Sequence, residues 1–187
     1  MLNILKPAFI LCLISAFLQI SAYAQDSRPG SEAENMVLSA VSLMNENDTE
    51  GARSVLFKLL AQDAENDAAW YYLGMTSLMS QEVSEAEEYL KKAVELDPDN
   101  FWYRYRLAGL YGATQRQELT VDMYEKLLED FPKRSELYLD MVDLYAAQGE
   151  YEKALDTINQ VETVFGVSEN LVMYRFNLLR RMGRHEE

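Results

Sequence analysis

Hydrophobic and polar positions repeat along most of this chain with one constant period. Small residues mark it, at Ala52, Ala86, Thr120 and Ala154, and their numbers give a 34-residue spacing. Apolar residues follow each of them four and seven positions later, as Leu90 and Ala93 follow Ala86. Apolar residues at i, i+4 and i+7 form one face of an amphipathic helix. Pro98 and Pro132 keep the same spacing and mark points where a helix ends. The pattern therefore predicts helices throughout, two in each period.

Residues 67–100 give the clearest copy of this unit. We predict a first helix, helix A, over residues 67–80, and a second, helix B, over residues 84–96. Ser84 with Glu87 three positions later fits a capping box at the start of helix B. Gly74 and Ala86 are small where larger side chains would hold the two helices apart. A pair of helices this short cannot bury its apolar faces alone, so neighbouring pairs are expected to stack.

The periodicity divides the chain into four units and an incomplete fifth. Their expected bounds are residues 33–66, 67–100, 101–134, 135–168 and 169–187. The first unit fits least well and is expected to act as an N-terminal cap. In the fifth, residues 169–182 predict one more helix A, and the apolar side chains of Phe176, Leu178 and Leu179 would have no covering helix B. One hypothesis is therefore that the sequence is the N-terminal piece of a longer repeat protein.

These units resemble tetratricopeptide repeats. The family pattern has Trp and Leu-Gly on helix A, a large residue between two small ones on helix B, and a closing Pro. The residues that match it here are Trp70, Leu73, Gly74, Ala86, Leu90, Ala93 and Pro98. The second and third units keep part of it, including Leu107, Tyr111, Tyr138 and Ala154. The resemblance covers residues 33–187. It implies an all-α, right-handed superhelical solenoid of antiparallel helix pairs, in which the A helices line a concave groove that binds a protein partner.

The resemblance also places candidate partner-binding residues on the A helices. These are Tyr71, Met75, Leu78, Trp102, Tyr105, Gly109, Leu139 and Asp143. Trp102 and Tyr105 are the strongest candidates, because aromatic residues dominate interface energetics, although packing between adjacent A helices is an equally ordinary use for them. Chaperone-binding members of the family grip an acidic tail with Lys, Asn and Arg. Because Tyr71, Met75, Tyr105 and Gly109 occupy those positions here, an apolar or aromatic peptide or helix is the expected ligand.

Residues 1–24 have the features of a secretory signal peptide. Lys6 is followed by an apolar stretch over residues 8–20, and Ala22 and Ala24 form an A-x-A cleavage site. The alternatives are an uncleaved membrane anchor or a lipoprotein signal at Cys12. Cleavage after Ala24 would leave residues 25–32 as a short flexible leader before the repeats at 33–187. The expected location is the periplasm or cell envelope of a bacterium, and contact with the membrane is expected only through an uncleaved signal segment.

The amino-acid composition argues against several classes of function. The chain has 17 basic and 31 acidic residues, a net charge of -14, so it would be repelled by a nucleic-acid backbone. Its one Cys and one His exclude a Cys/His metal cluster. His185 lies at the end of the chain, where a solvated side chain is far more plausible than a general base. Asp97-Pro98-Asp99-Asn100 lacks the Gly and Glu of a calcium loop and is interpreted as an inter-repeat turn. We expect no enzyme activity, cofactor or metal.

The expected function is that of a non-catalytic scaffold or adaptor of the cell envelope. Two alternatives remain: an envelope-assembly factor, and a sensory or interaction region whose effector part lies beyond residue 187. Arg175, Arg180, Arg181 and Arg184 form the one basic cluster of an acidic chain. It is interpreted as a solvated helix end, with a contact for an acidic partner as the alternative.

Overall fold

The 34-residue pattern folds into a stack of paired helices in a computed structural model, which describes residues 31–184. All of the regular secondary structure in this part of the chain is helical. The helices are α1 Ser31–Asn45, α2 Thr49–Gln62, α3 Asp67–Met79, α4 Val83–Leu96, α5 Phe101–Ala113, α6 Gln117–Asp130, α7 Ser135–Gln148, α8 Tyr151–Phe165 and α9 Glu169–Arg181. The odd-numbered helices are the predicted A helices and the even-numbered ones the B helices. The predicted all-α solenoid of helix pairs is confirmed.

The predicted period is kept at the helix starts. The A helices α3, α5, α7 and α9 begin at positions 67, 101, 135 and 169, and the B helices begin at positions 49, 83, 117 and 151. Turns between A and B follow the same phase, with a left-handed residue at positions 47, 81, 115 and 149, and position 183 after α9 has the same conformation. The last two are glycines, which adopt this conformation at the lowest cost.

Small residues allow the two helices of each pair to approach closely. In the 34-residue phase, Gly74 and Ala86 correspond to Ala40 and Ala52, Ala108 and Thr120, and Val142 and Ala154, and all eight residues are buried. A Cβ atom placed on Gly74 would lie 2.7 Å from Leu90 Cγ and 3.3 Å from the backbone oxygen of Ala86. The predicted role of Gly74 and Ala86 as spacers is therefore confirmed by the geometry.

The helix caps differ in part from the predicted ones. Helix α4 begins at Val83, and Glu82 at its N-cap makes no side-chain capping bond, so the predicted capping box of Ser84 and Glu87 is wrong. Glu87 instead binds Arg116 of the next repeat. Asparagines cap the A helices at two inter-repeat turns: Asn66 accepts from the Ala69 N–H at 2.9 Å, and Asn100 from the Trp102 N–H at 3.1 Å. Asn100 thus supports the interpretation of residues 97–100 as a turn.

The ends of the chain correct two further expectations. Helix α1 begins at Ser31, so it includes the last two residues of the expected leader; Glu32 and Glu34 in its first turn favour a helix N-terminus. Leu178 and Leu179 are buried in the core cluster that spans α5 to α9, because α9 packs against the preceding repeat, whereas Phe176 is 56% exposed, as predicted. The predicted signal peptide and His185 lie outside the described residues. No helix within residues 31–184 is both long and apolar enough to span a membrane.

Candidate partner-binding groove

Hydrogen bonds between tyrosines and aspartates join successive A helices. The Tyr103 hydroxyl of α5 donates to Asp67 of α3, and the Tyr105 hydroxyl donates to Asp140 of α7, both at 2.7 Å. Tyr174 of α9 is hydrogen-bonded in turn to Asp143 of α7. These bonds hold four A helices side by side, so that their faces form one surface, here called the A-helix groove.

The groove is open along α5. Trp102 is 48% exposed, and Gly109, Gly112 and Ala113 on the same helix are also exposed. A Cβ atom on Gly109 would have no neighbour within 4 Å, so the space above this glycine is free for another molecule. An exposed aromatic ring on the same helix as small exposed residues gives a partner side chain both a contact and the space to bind.

The Trp102 ring is held in place on three sides. Phe101 lies edge-on at 5.0 Å and Tyr105 edge-on at 6.1 Å between ring centroids. The guanidinium of Arg134 lies over the ring at 5.5 Å and over Phe101 at 4.3 Å, at cation–π distance. Trp102 is therefore pre-positioned, which lowers the entropy lost when a partner binds it.

Tyr105 has a structural role in addition to its place in the groove. Its ring stacks on Phe101 at 5.4 Å and is half-buried. Burial, together with the hydrogen bond to Asp140, raises the pKa of the Tyr105 hydroxyl to about 12. Removal of this side chain would therefore disturb the α5–α7 contact as well as the groove.

The predicted groove residues fall into two sets. Trp102, Gly109 and Asp143 are exposed. The other five are half-buried, namely Tyr71, Met75, Leu78, Tyr105 and Leu139. Tyr71 stacks on Tyr103 at 4.8 Å, and Leu139 packs against the cluster of Tyr138, Val161 and Leu171. The half-buried side chains share their surface between the core and the groove, and which of the eight contact a partner stays a prediction.

A cleft of about 530 Å³ continues the groove between α7 and α9. It is lined by Val142, Asp143, Ala146, Ala147, Tyr174, Asn177, Leu178, Arg180 and Arg181. Although Asp143 as a whole is exposed, desolvation of its carboxyl group and the nearby charge of Asp140 raise its pKa. The exposed face of α5 thus carries one charged residue, Arg106, whereas several charged residues line the cleft at α9. The sequence analysis did not predict Asn177 as a groove residue. It occupies the repeat position that Gly109 and Asp143 hold in the two preceding units.

Two members of the basic cluster bind acidic residues of the preceding helix. Arg175 contacts Glu162 at 2.7 Å, and Arg184 contacts Glu152 at 2.9 Å. Arg180 and Arg181 are exposed in the last turn of α9, where positive charge is favourable. The cluster therefore serves partly to join α9 to α8.

The chain belongs to the tetratricopeptide repeat family. One family profile described as tetratricopeptide repeat matches residues 43–100 and 120–163, and a second with the same description matches residues 103–134. Solenoids of such repeats are protein-interaction scaffolds that bind partners on extended concave surfaces, and the family gives this chain that general class of function.

Similarities to known proteins are consistent with membership of the tetratricopeptide repeat family. Anaphase-promoting complex subunit 3 from Dictyostelium discoideum is 27% identical over 103 residues, 54% of this chain and 11% of that protein. A TPR repeat-containing protein from Methanocaldococcus jannaschii is 23% identical over 147 residues, 78% of this chain and 26% of that protein. The chain thus spans about a quarter or less of the length of these relatives. A solved structure of MamA from Desulfovibrio magneticus is 15% identical with a TM-score of 0.70, covering 84% of this chain and 89% of that one.

Proposed function

We propose that this protein is a non-catalytic scaffold or adaptor of the bacterial cell envelope, which binds a partner peptide or helix in the A-helix groove. The observation that carries the proposal is the exposed, pre-positioned ring of Trp102 beside the open surface above Gly109. The Trp102 ring would supply apolar contact area. Because Gly109 has no side chain, a side chain of the partner would have room above it.

The groove favours a partner with an apolar or aromatic segment. Along α5 it offers the uncharged Trp102, Gly112 and Ala113, together with one exposed basic residue, Arg106. The charged cleft between α7 and α9 lies further along, so a polar end of the same ligand would be accommodated there. The net charge of -14 favours a partner that is not strongly acidic overall.

The test compares two exposed aromatic residues on opposite kinds of helix. Trp102→Ala should reduce capture of partners from envelope extracts at least about tenfold, because aromatic anchors carry much of the energy of an interface. The control is Phe57→Ala on the B helix α2, where the ring is 43% exposed. Both variants should melt within about 4 °C of the parent chain, because each ring is about half exposed. Equal loss of capture from the two variants, or no loss from Trp102→Ala, would refute the groove assignment.

The envelope location rests on the sequence of residues 1–24. Cell fractionation of the full chain, followed by N-terminal sequencing, tests it: the protein should be in the envelope fraction and begin at Gln25. Recovery in the cytoplasm with Met1 retained would contradict the proposal.

A second candidate keeps the same groove but assigns it to a longer envelope protein with a signalling, assembly or enzymatic part. It is supported by the architecture of the two relatives described above, in which the matched repeats make up only 11% and 26% of the protein. Sequencing the transcript beyond the codon for Glu187 distinguishes the candidates.

A further inference from the structure

Two rows of residues in the A-helix groove change in character from one A helix to the next. Within each row the residues hold the same repeat position, so they follow one another at the 34-residue spacing. The first row is Leu78, Gly112, Ala146 and Arg180, and the second is Met79, Ala113, Ala147 and Arg181. Both rows are apolar on α3, small on α5 and α7, and basic on α9. The groove therefore has an uncharged surface that ends at a pair of arginines.

The rows are open within the solenoid and not only at α9. Gly112, Ala113 and Ala147 are exposed, although a further A helix follows each of them. Met79 is 41% exposed on α3. Since these repeat positions are uncovered where the next repeat is present, the exposure of their equivalents on α9 is a property of the groove.

The arginines of the two rows differ from the other basic residues of α9 and its turn. Arg180 and Arg181 line the cleft of about 530 Å³ between α7 and α9. Within residues 31–184 neither of them has an ion-pair partner, whereas Arg175 and Arg184 are bound to acidic residues of α8. The basic cluster is therefore divided: two members join α9 to α8, and two present positive charge to the groove.

The cleft is positive although one carboxylate shares it. Asp143 lines the α7 side and is hydrogen-bonded to Tyr174. Two arginines and one aspartate leave the lining with an excess of positive charge, in a chain whose net charge is -14. Guanidinium groups bind carboxylates well because their N–H donors match the carboxylate oxygens. The exposed amide of Asn177 adds a donor and an acceptor for a peptide backbone.

We propose that the partner segment carries an aspartate or glutamate side chain that binds Arg180 and Arg181, while an apolar residue of the same segment contacts Trp102. This inference rests on the proposed function, because it uses the same groove, and it adds the charge of the ligand. Charge complementarity selects the acidic residue, since the two guanidinium groups have no carboxylate of their own. The small residues of α5 and α7 leave room for the segment between the two contacts.

The repeat geometry gives the spacing between these two contacts. Trp102 is equivalent to Asn170 on α9, which precedes Arg180 by ten residues, or about 15 Å along the helix axis. Two steps of about 10 Å between neighbouring A helices lead from α5 to α9. The contacts are then about 25 Å apart, which an extended chain spans with about seven or eight residues.

Peptide selection against the purified full chain tests the proposal. The probe is a phage-displayed library of random segments about 12 residues long, enough for this spacing, with their C-termini fused to the coat protein so that only side chains supply carboxylates. The selected sequences should share an Asp or Glu about seven or eight residues from an aromatic or large apolar residue. A shared sequence without an acidic residue would overturn the proposal and leave the apolar contact of the proposed function intact.

Charge reversal identifies the residues responsible for the acidic preference. Selection against the double variant Arg180→Glu, Arg181→Glu should replace the acidic residue with Lys or Arg. The matched control is Lys58→Glu, Lys126→Glu, which changes the net charge equally at exposed positions of the B helices α2 and α6 and should keep the acidic residue. An acidic residue selected equally by the parent and both variants would overturn the proposal.

Anisotropy titrations with one selected peptide provide a measurement that does not depend on the stability of α9. Because glutamates in the last turn oppose the helix dipole, the neutral variant Arg180→Gln, Arg181→Gln is used here. Replacing the acidic residue of the peptide by its amide should weaken binding to the parent chain about fivefold, and binding to the neutral variant less than about 1.5-fold. Equal weakening in both chains would contradict the contact with the arginines.

Trp102→Ala separates this inference from the proposed function. Sequences selected against this variant should lose the shared apolar residue and keep the acidic one. If the apolar residue is unchanged while the acidic one still depends on Arg180 and Arg181, the Trp102 contact is wrong and the acidic contact stands. Failure of the parent chain to select any shared sequence would contradict both.

Discussion

Gly74→Ala is the sharpest test of how the repeats pack. Gly74 lies in the middle of α3, where it faces Ala86 and Leu90 of α4. The added methyl carbon would be 2.7 Å from Leu90 Cγ and 2.9 Å from Leu90 Cδ2. These separations are well below van der Waals contact, so α3 and α4 must move apart or Leu90 must change its conformation.

Two effects of opposite sign decide the outcome. Replacement of a glycine by alanine inside a helix stabilises the helix by about 1 kcal/mol. Overpacking a tight core costs about 1–3 kcal/mol. Leu90 is fully buried, and the backbone oxygen of Ala86 stands 3.3 Å from the new atom, so neither neighbour can yield easily. We expect a net loss of about 1 kcal/mol in the free energy of unfolding.

Gly109→Ala provides a matched control. Gly109 is also in the interior of an A helix, but a Cβ atom there would meet nothing within 4 Å. This variant should gain about 0.5–1 kcal/mol, so the two substitutions should differ by about 2 kcal/mol in urea unfolding. In the background of Leu90→Ala, which opens space, Gly74→Ala should cost much less. If Gly74→Ala stabilises the protein as much as Gly109→Ala does, the close approach of α3 and α4 is wrong.

Further predictions concern the acid stability and the turns. Arg116 and Lys91 lower the pKa of the Glu87 carboxyl to about 2, so its charge stabilises the fold above the ordinary pKa near 4.5, and this contribution is lost as the pH falls toward 2. Glu87→Gln should therefore cost about 1–2 kcal/mol in urea unfolding at pH 7 and progressively less below pH 5; an unchanged difference at pH 3 would contradict the ion pair. Gln115→Gly should raise the unfolding free energy by about 0.5–1 kcal/mol, because Gln115 has a φ of 58° in the turn where Gly149 stands one repeat later. A decrease in the unfolding free energy would show that the Gln115 side chain contributes more than its backbone strain costs.

The sequence predicts the helices well because the same pattern of apolar and polar residues recurs in each repeat. Ala86, Leu90 and Ala93 recur in phase with their equivalents, so the helix and its buried side could be inferred from several copies. The start of α4 was harder. Ser84 and Glu87 fit a local capping signal, yet Glu87 is bound by Arg116, which belongs to the following repeat. A capping pattern cannot reveal a competing partner in the next repeat.

The groove could be predicted only in outline. The resemblance to tetratricopeptide repeats indicated that Tyr105, Gly109 and Asp143 face the groove. It could not indicate that the Tyr105 hydroxyl binds Asp140, because that contact depends on how α5 and α7 are placed relative to each other. Leu178 was wrongly expected to be exposed for a similar reason: the preceding repeat covers it.

The central proposal is that the A-helix groove is the surface that binds a protein partner. Site-specific photo-crosslinking in cells tests it most directly, with the same photoreactive amino acid placed at Trp102, Gly109 or Asp143 on the A helices, or at Glu88 or Lys126 on the B helices. The proposal predicts that crosslinks to one partner protein form from the A-helix positions and are absent from the B-helix positions. Crosslinks to that partner from Glu88 or Lys126, with none from the three groove positions, would contradict it.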